Sequence, residues 1–168
     1  MRLAARITGS VAATVVFGAA VLATGMSYAA SGEEVIKARI AFMEDELGAN
    51  WKPLAAFSSK GVGTLADVEK HATAIANLAK KLPAHFPKDT GRGKYPDKLT
   101  RALPVIWENP EAFKRANQQL ADGSAKLAQL AKEGKKAEVI DMIGPGSYQR
   151  TKIGCGECHD DFRGERVK

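Results

Sequence analysis

The sequence predicts an all-α chain: a four-helix bundle with a chemical motif at its C-terminal end. Three observations carry that expectation. Four stretches place apolar residues at steps of three and four, the period of a helix with one buried face. No run alternates in the period of two that a half-buried strand requires. Helix caps precede two of the stretches, and proline or glycine punctuates between them.

Residues 1–29 come before the bundle. Arg2 and Arg6 lead into an apolar run of thirteen residues, Val11 to Ala23, and Ser27-Tyr28-Ala29 then precedes Ala30. These are the three parts of a secretory signal peptide with a small-x-small cleavage site. The run falls short of the ~20 residues that a spanning helix needs, so cleavage is expected rather than anchoring. No Arg-Arg pair is present, which favours export of the unfolded chain. The mature domain is then 30–168, without stable membrane insertion.

The first helical stripe is Ile36, Ile40, Met43, Leu47, Trp51 and Leu54, with Pro53 expected to bend or end its last turn. Thr64 reads as the N-cap of the second helix, with Asp67 as its capping-box partner. Leu65, Val68, Ala72, Ile75, Ala79 and Leu82 form that stripe, and Pro83 ends it. Residues 83–109 make a long connection, expected to wrap on the bundle through Phe86, Tyr95 and Trp107. Asn109 as N-cap and Pro110 at the first helical position open the third helix, lined by Phe113, Leu120, Leu127 and Leu130. The fourth starts near Lys135, is interrupted at Gly144-Pro145-Gly146, and restarts from Ser147 to Phe162.

That last segment carries Cys155-Gly156-Glu157-Cys158-His159. C-x-x-C-H is the attachment signature of a c-type haem. Two thiols three residues apart share one helix face, where both can add to the porphyrin vinyl groups. The next residue offers a neutral imidazole to the iron. A thioredoxin-like dithiol wants a preceding strand, and none is legible here. Structural zinc wants four Cys or His ligands, whereas the chain has two Cys and the scattered histidines His71, His85 and His159. A plain disulfide leaves His159 unexplained. Haem attachment also agrees with export, and it consumes both thiols as thioethers.

Charge says less. Removing Arg2 and Arg6 from 25 Lys+Arg leaves 23 against 19 Asp+Glu, a mature charge of +4, with the basic residues scattered. That distribution is no nucleic-acid footprint. No acid–base pair, nucleophile with its base, or phosphate-cradling glycine loop is present, so no enzyme is expected.

With the motif at the far C-terminus of a four-helix chain, the sequence resembles the class II c-type cytochromes, the cytochrome c′ family, over about residues 33–163. Arg39-Ile40-Ala41-Phe42-Met43 matches the family's R-x-x-x-(L/M) pattern, and Asn50 to Phe57 the segment after it. Pro104 to Asn109 with Phe113 looks like the start of its third helix, and Cys158 to Arg163 like its C-H-x-x-(F/Y)-R ending. The resemblance implies one covalent haem c on Cys155 and Cys158, with His159 as proximal ligand. Met43 would face the iron from the other side. Arg39 would lie near a haem propionate, and Arg163 on the proximal face beside His159. It also implies a homodimer built on the first two helices; the signal peptide implies a periplasmic location, and an electron-carrying haem implies transient redox partner proteins. The long connection looks like that of the family's low-spin, six-coordinate relatives.

The sixth ligand stays open at this stage. Met43 on the core stripe reads either as a packed, polarizable side chain or as a thioether ligand that raises the reduction potential. Met142, just before the interruption, is the poorer candidate. His71 and His85 read as surface or loop residues. The long connection favours a bound Met43, so electron transfer through the haem iron is the expected function; a merely packed Met43 leaves five-coordinate iron able to take NO or CO, the alternative.

Overall fold

The computed structural model describes residues 31–167, so the signal peptide expected over 1–29 lies outside the described residues. Four helical rods form the molecule, and among the described residues there are no strands, only isolated bridges joining Arg92 to Tyr95 and Ala102 to Arg163.

The first rod is continuous from α1 (Gly32–Ala41) through a π-helical run (Phe42–Leu47) into α2 (Gly48–Lys60). Ser31 and Glu34 close a capping box at its start, which the sequence reading missed by beginning at Glu33. Pro53 does not end the rod: it sits inside α2, which continues to a left-handed Gly61. Thr64 and Asp67 form the expected capping box on α3 (Leu65–Ala79), the second rod. This helix stops before Pro83, which instead enters a 3-10 turn, Leu82–His85.

The connection wraps on the bundle through all three expected aromatics. The Trp107 indole donates to the Phe86 carbonyl at 3.0 Å, Phe86 and Trp107 pack into an apolar cluster, and the Tyr95 ring covers Gly32. One turn of helix, α4 (Val105–Glu108), ends the connection at Asn109. Asn109 then caps α5 (Pro110–Lys132), the third rod, by accepting from the Ala112 amide at 3.2 Å.

The fourth rod is broken more deeply than expected. Its first piece is α6 (Lys136–Ile143), and Gly144 and Gly146 then both take positive φ. Ser147 caps nothing: a 3-10 turn, Tyr148–Arg150, and an extended stretch intervene before α7 (Cys155–Phe162). The physical reason is local. The Gly144 carbonyl accepts from the Ser58 hydroxyl on α2, and a Cβ on Gly146 would lie 2.9 Å from that of Ser59. The loop is thus pinned to the end of α2, and the chain crosses back before helix can resume.

Two apolar clusters fill the interior. One joins Leu54, Phe57, Val68, Ile75, Leu127, Val139, Ile143 and Ile153, from all four rods. The other is aromatic and draws on the connection: Phe42, Leu82, Ile106, Phe113 and Phe162. Cys155 packs on the first and Cys158 on the second, so the C-x-x-C turn sits at their seam.

A cavity between the first rod and the C-terminal helix

A cavity of about 980 Å³ opens between the α1–α2 rod and α7, at the upper end of the usual range for ligand pockets. One wall is the middle of the first apolar stripe. Ile36 and Leu54, at the stripe's ends, are fully buried against protein, whereas Ile40, Met43, Leu47 and Trp51 line the cavity. Ile40 is 40% exposed. An apolar stripe left open at its centre is a surface awaiting an apolar occupant.

The facing wall is α7, with Cys155, Cys158 and His159 all on the cavity. Its position comes from three glycines rather than from bulk. A Cβ on Gly154, which also holds φ +94°, would lie 2.9 Å from the Leu120 amide nitrogen. One on Gly156 would meet the Gln149 carbonyl oxygen at 2.5 Å, and one on Gly123 would meet the Ile153 Cα at 2.7 Å. Backbone therefore touches backbone where α5 and the 3-10 turn meet the motif, which only glycine allows. The sequence reading assigned no role to these three. Gly156 and Gly154 were visible as glycines next to the cysteines, but Gly123 gave no local signal inside a helix.

Burial sets the protonation states. It pushes the Cys155 thiol up to about 12 and the Cys158 thiol up to about 11, so both are neutral thiols near pH 7. The two are not joined as a disulfide. Burial, reinforced by Arg163 and Arg101, lowers His159 to about 4 and keeps its imidazole neutral, the form that binds metal. Its Nδ1 is buried without a hydrogen-bond partner among the described residues. The Tyr148 ring stands edge-on to the imidazole at 5.1 Å, and the Tyr148 hydroxyl accepts from Arg163 Nη2 at 3.2 Å. Arg163 lines the cavity with His159, and Tyr148, legible in the sequence only as part of the helix restart, holds its guanidinium.

Met43 lies half-buried in the π-helical run, and its carbonyl accepts from the Gly48 amide. Runs of this kind widen a helix and recur at functional sites. Met142 does not reach the cavity: it is buried in the first cluster. His71 is half-buried and hydrogen-bonded to Asn50 at 2.9 Å, and His85 stacks on Phe42 with ring centroids 4.0 Å apart.

Arg39 is 4% exposed, and burial lowers its guanidinium to about 10, which leaves it charged. It lines the cavity, but its bonds run to the connection. Nη1 donates to Thr90 Oγ1 at 3.0 Å and more weakly to the His85 carbonyl at 3.4 Å. Nη2 donates to the Thr90 carbonyl and to Thr100 Oγ1, both at 2.8 Å. Nothing in the sequence spacing announced these partners. At the rim, Arg101 donates to the Gly164 carbonyl at 2.7 Å, and burial with the nearby Arg163 and Arg166 lowers its affinity for a proton. Arg92 bonds the Glu165 carbonyl and pairs with Asp97 at 3.5 Å. The cavity lining carries six Lys and Arg against three Asp and Glu, so it is net cationic.

A cavity walled by two thiols at helical spacing, a neutral imidazole and an apolar stripe, with cations at its mouth, fits a haem and its two propionates. The arrangement defines a covalent haem site in a four-helix bundle. The sequence model of the Cytochrome C′ family matches residues 34–163, and the chain belongs to that family. It is 33% identical over 152 residues to cytochrome c′ of Rhodopseudomonas palustris, covering 88% of this chain and 94% of the relative. It is 29% identical over 98 residues to cytochrome c-554 of Cereibacter sphaeroides, covering 58% of this chain and 65% of that one. Among solved structures, cytochrome c′ from "Rhodobacter Spheriodes" superposes with a TM-score of 0.67 at 29% identity, covering 82% of this chain and all of that one. The cofactor is accordingly haem c, held by Cys155 and Cys158.

Proposed function

We propose that this chain is a periplasmic electron carrier in which His159 and Met43 are the axial pair. Haem c supplies a one-electron ferric–ferrous couple whose potential follows its axial ligands and surroundings. The observation that carries the proposal is Met43 itself, the one methionine among the described residues that lines the cavity, on the wall that α1 and the π-helical run provide. The residues around it do the rest. Ile40, Leu47 and Trp51 keep water from the site, and a dry, low-dielectric surrounding favours the less charged ferrous form. Arg101, Arg163 and Arg166 supply cations at the rim. The reading contains no catalytic step. The signal-peptide pattern of residues 1–29 supports the periplasmic part of this reading.

The test is the absorption spectrum of the ferric protein. A low-spin spectrum with the long-wavelength band of methionine–iron ligation is expected, and Met43→Ala should abolish that band. A high-spin wild type, or a variant indistinguishable from it, overturns the assignment.

A second reading, a five-coordinate site that binds NO or CO, draws support from one observation. The similar structures include nitric oxide complexes of mutants of cytochrome c prime from Alcaligenes xylosoxidans, although at 20% identity. We also propose a homodimer and transient redox protein partners. Another similar structure, 25% identical, is a cytochrome c′ with ligand-controlled dimer dissociation.

A further inference from the structure

We propose that Arg39 is a positioning residue for the sixth ligand, acting as a clamp that joins two walls of the cavity. This rests on the assignment of Met43 above. One wall is the α1–π rod carrying Met43; the other is the connection from Asp97 to Ala102, which also lines the cavity. These walls come from distant parts of the sequence, and the Arg39 guanidinium binds them together. It reaches Thr90 and Thr100, 51 and 61 residues away, through the three short bonds given above. It also lies over the Phe86 ring at 4.8 Å.

The clamp is built to be stiff. The Thr90 hydroxyl donates onward to the Pro87 carbonyl at 2.7 Å, so the acceptor is itself held. The Arg92 amide bonds the Ala102 carbonyl at 2.9 Å, and the Ala102 amide bonds Thr100 Oγ1 at 3.2 Å, tying the far wall to the same hydroxyl. A planar guanidinium satisfies several fixed acceptors at once, which a lysine ammonium does not. Arg39 is also four residues before Met43, so the helix segment that the clamp holds is the one that presents the thioether. Its bonds to neutral hydroxyls and carbonyls hold the cavity at one width. A wider cavity lets the methionine swing off and a diatomic ligand enter.

The test leaves Arg39 and its charge in place and removes its hydroxyl acceptors with Thr90→Val and Thr100→Val together in the haem-loaded protein. The clamp requires a weakened methionine–iron band, CO uptake by the reduced protein faster by about tenfold, and faster amide exchange over 97–102. Thr100→Ser on its own, which keeps a hydroxyl, should behave as wild type. Repeating the valine pair in a Met43→Ala background separates the effects: if the clamp acts through Met43, the gain in CO rate disappears there. A band and a CO rate unchanged by the valine pair, or a gain that persists fully without Met43, overturns the clamp. Loss of the band in the wild type itself would instead strike at Met43 as a ligand.

Discussion

The two ends of this bundle are built on different principles. Away from the cavity, Leu127, Val139, Ile143 and Ile153 are completely buried, and α3 and α5 pack along their lengths. Their apolar surface is removed from water by protein alone. Around the cavity, Ile40 and Val167 remain 40% and 45% exposed, Met43, Leu47 and Trp51 are half-covered, and one wall is irregular chain held by an arginine. That end has apolar surface left for the cofactor to cover. One end is closed by protein alone, and the other is completed by what it binds.

The largest effect should follow from preventing attachment. With Cys155→Ser and Cys158→Ser together, covalent haem should be lost and the melting temperature should fall. Amide exchange should then rise over 42–47 and 97–102 while α3 and α5 stay protected. Uniform loss of protection along the chain would erase the distinction between the two ends, and an unchanged melt would deny that haem stabilises the fold.

A change at the closed end should act without regard to haem. Leu127→Ala removes a fully buried side chain and should cost about 2–5 kcal/mol in denaturant unfolding. The cost should be similar with and without the cofactor. A loss seen only in the haem-loaded protein would mean that the two clusters are one.

The same contrast separates what was legible in the sequence from what was not. Helix stripes, the Thr64 and Asn109 caps and the haem motif are local patterns, and each stands where the spacing placed it. The errors fell where long-range contact overrides local preference. Pro53 is tolerated inside a rod packed on its neighbours. The restart after Gly146 is delayed because the loop is tied to α2 through Ser58. Arg39 was singled out by the family pattern, yet its partners Thr90 and Thr100 lie in a stretch with no periodicity to read. Gly123 matters because the Ile153 backbone rests on it, a fact that exists only after folding.

The smallest effect concerns a cap. Asp67 accepts from the Thr64 amide at 2.8 Å and from its hydroxyl at 2.7 Å, and these bonds lower its pKa below the usual 3.8. A carboxyl with a depressed folded-state pKa adds stability above its unfolded value, and this is lost as pH falls through the folded one. Asp67→Asn should therefore be slightly less stable than wild type at pH 7. The gap should close in acid well below pH 3.8, as followed by denaturant midpoints. A gap that widens in acid would contradict the assignment.

The most direct test of an iron site closed by Met43 is the rate at which the reduced, haem-loaded protein takes up CO in stopped flow. If the methionine must leave first, the rate should rise with CO and then level off at a ceiling set by that departure. A fast rate that stays proportional to CO at every concentration would show an open site, and the electron-carrier account would give way to gas binding.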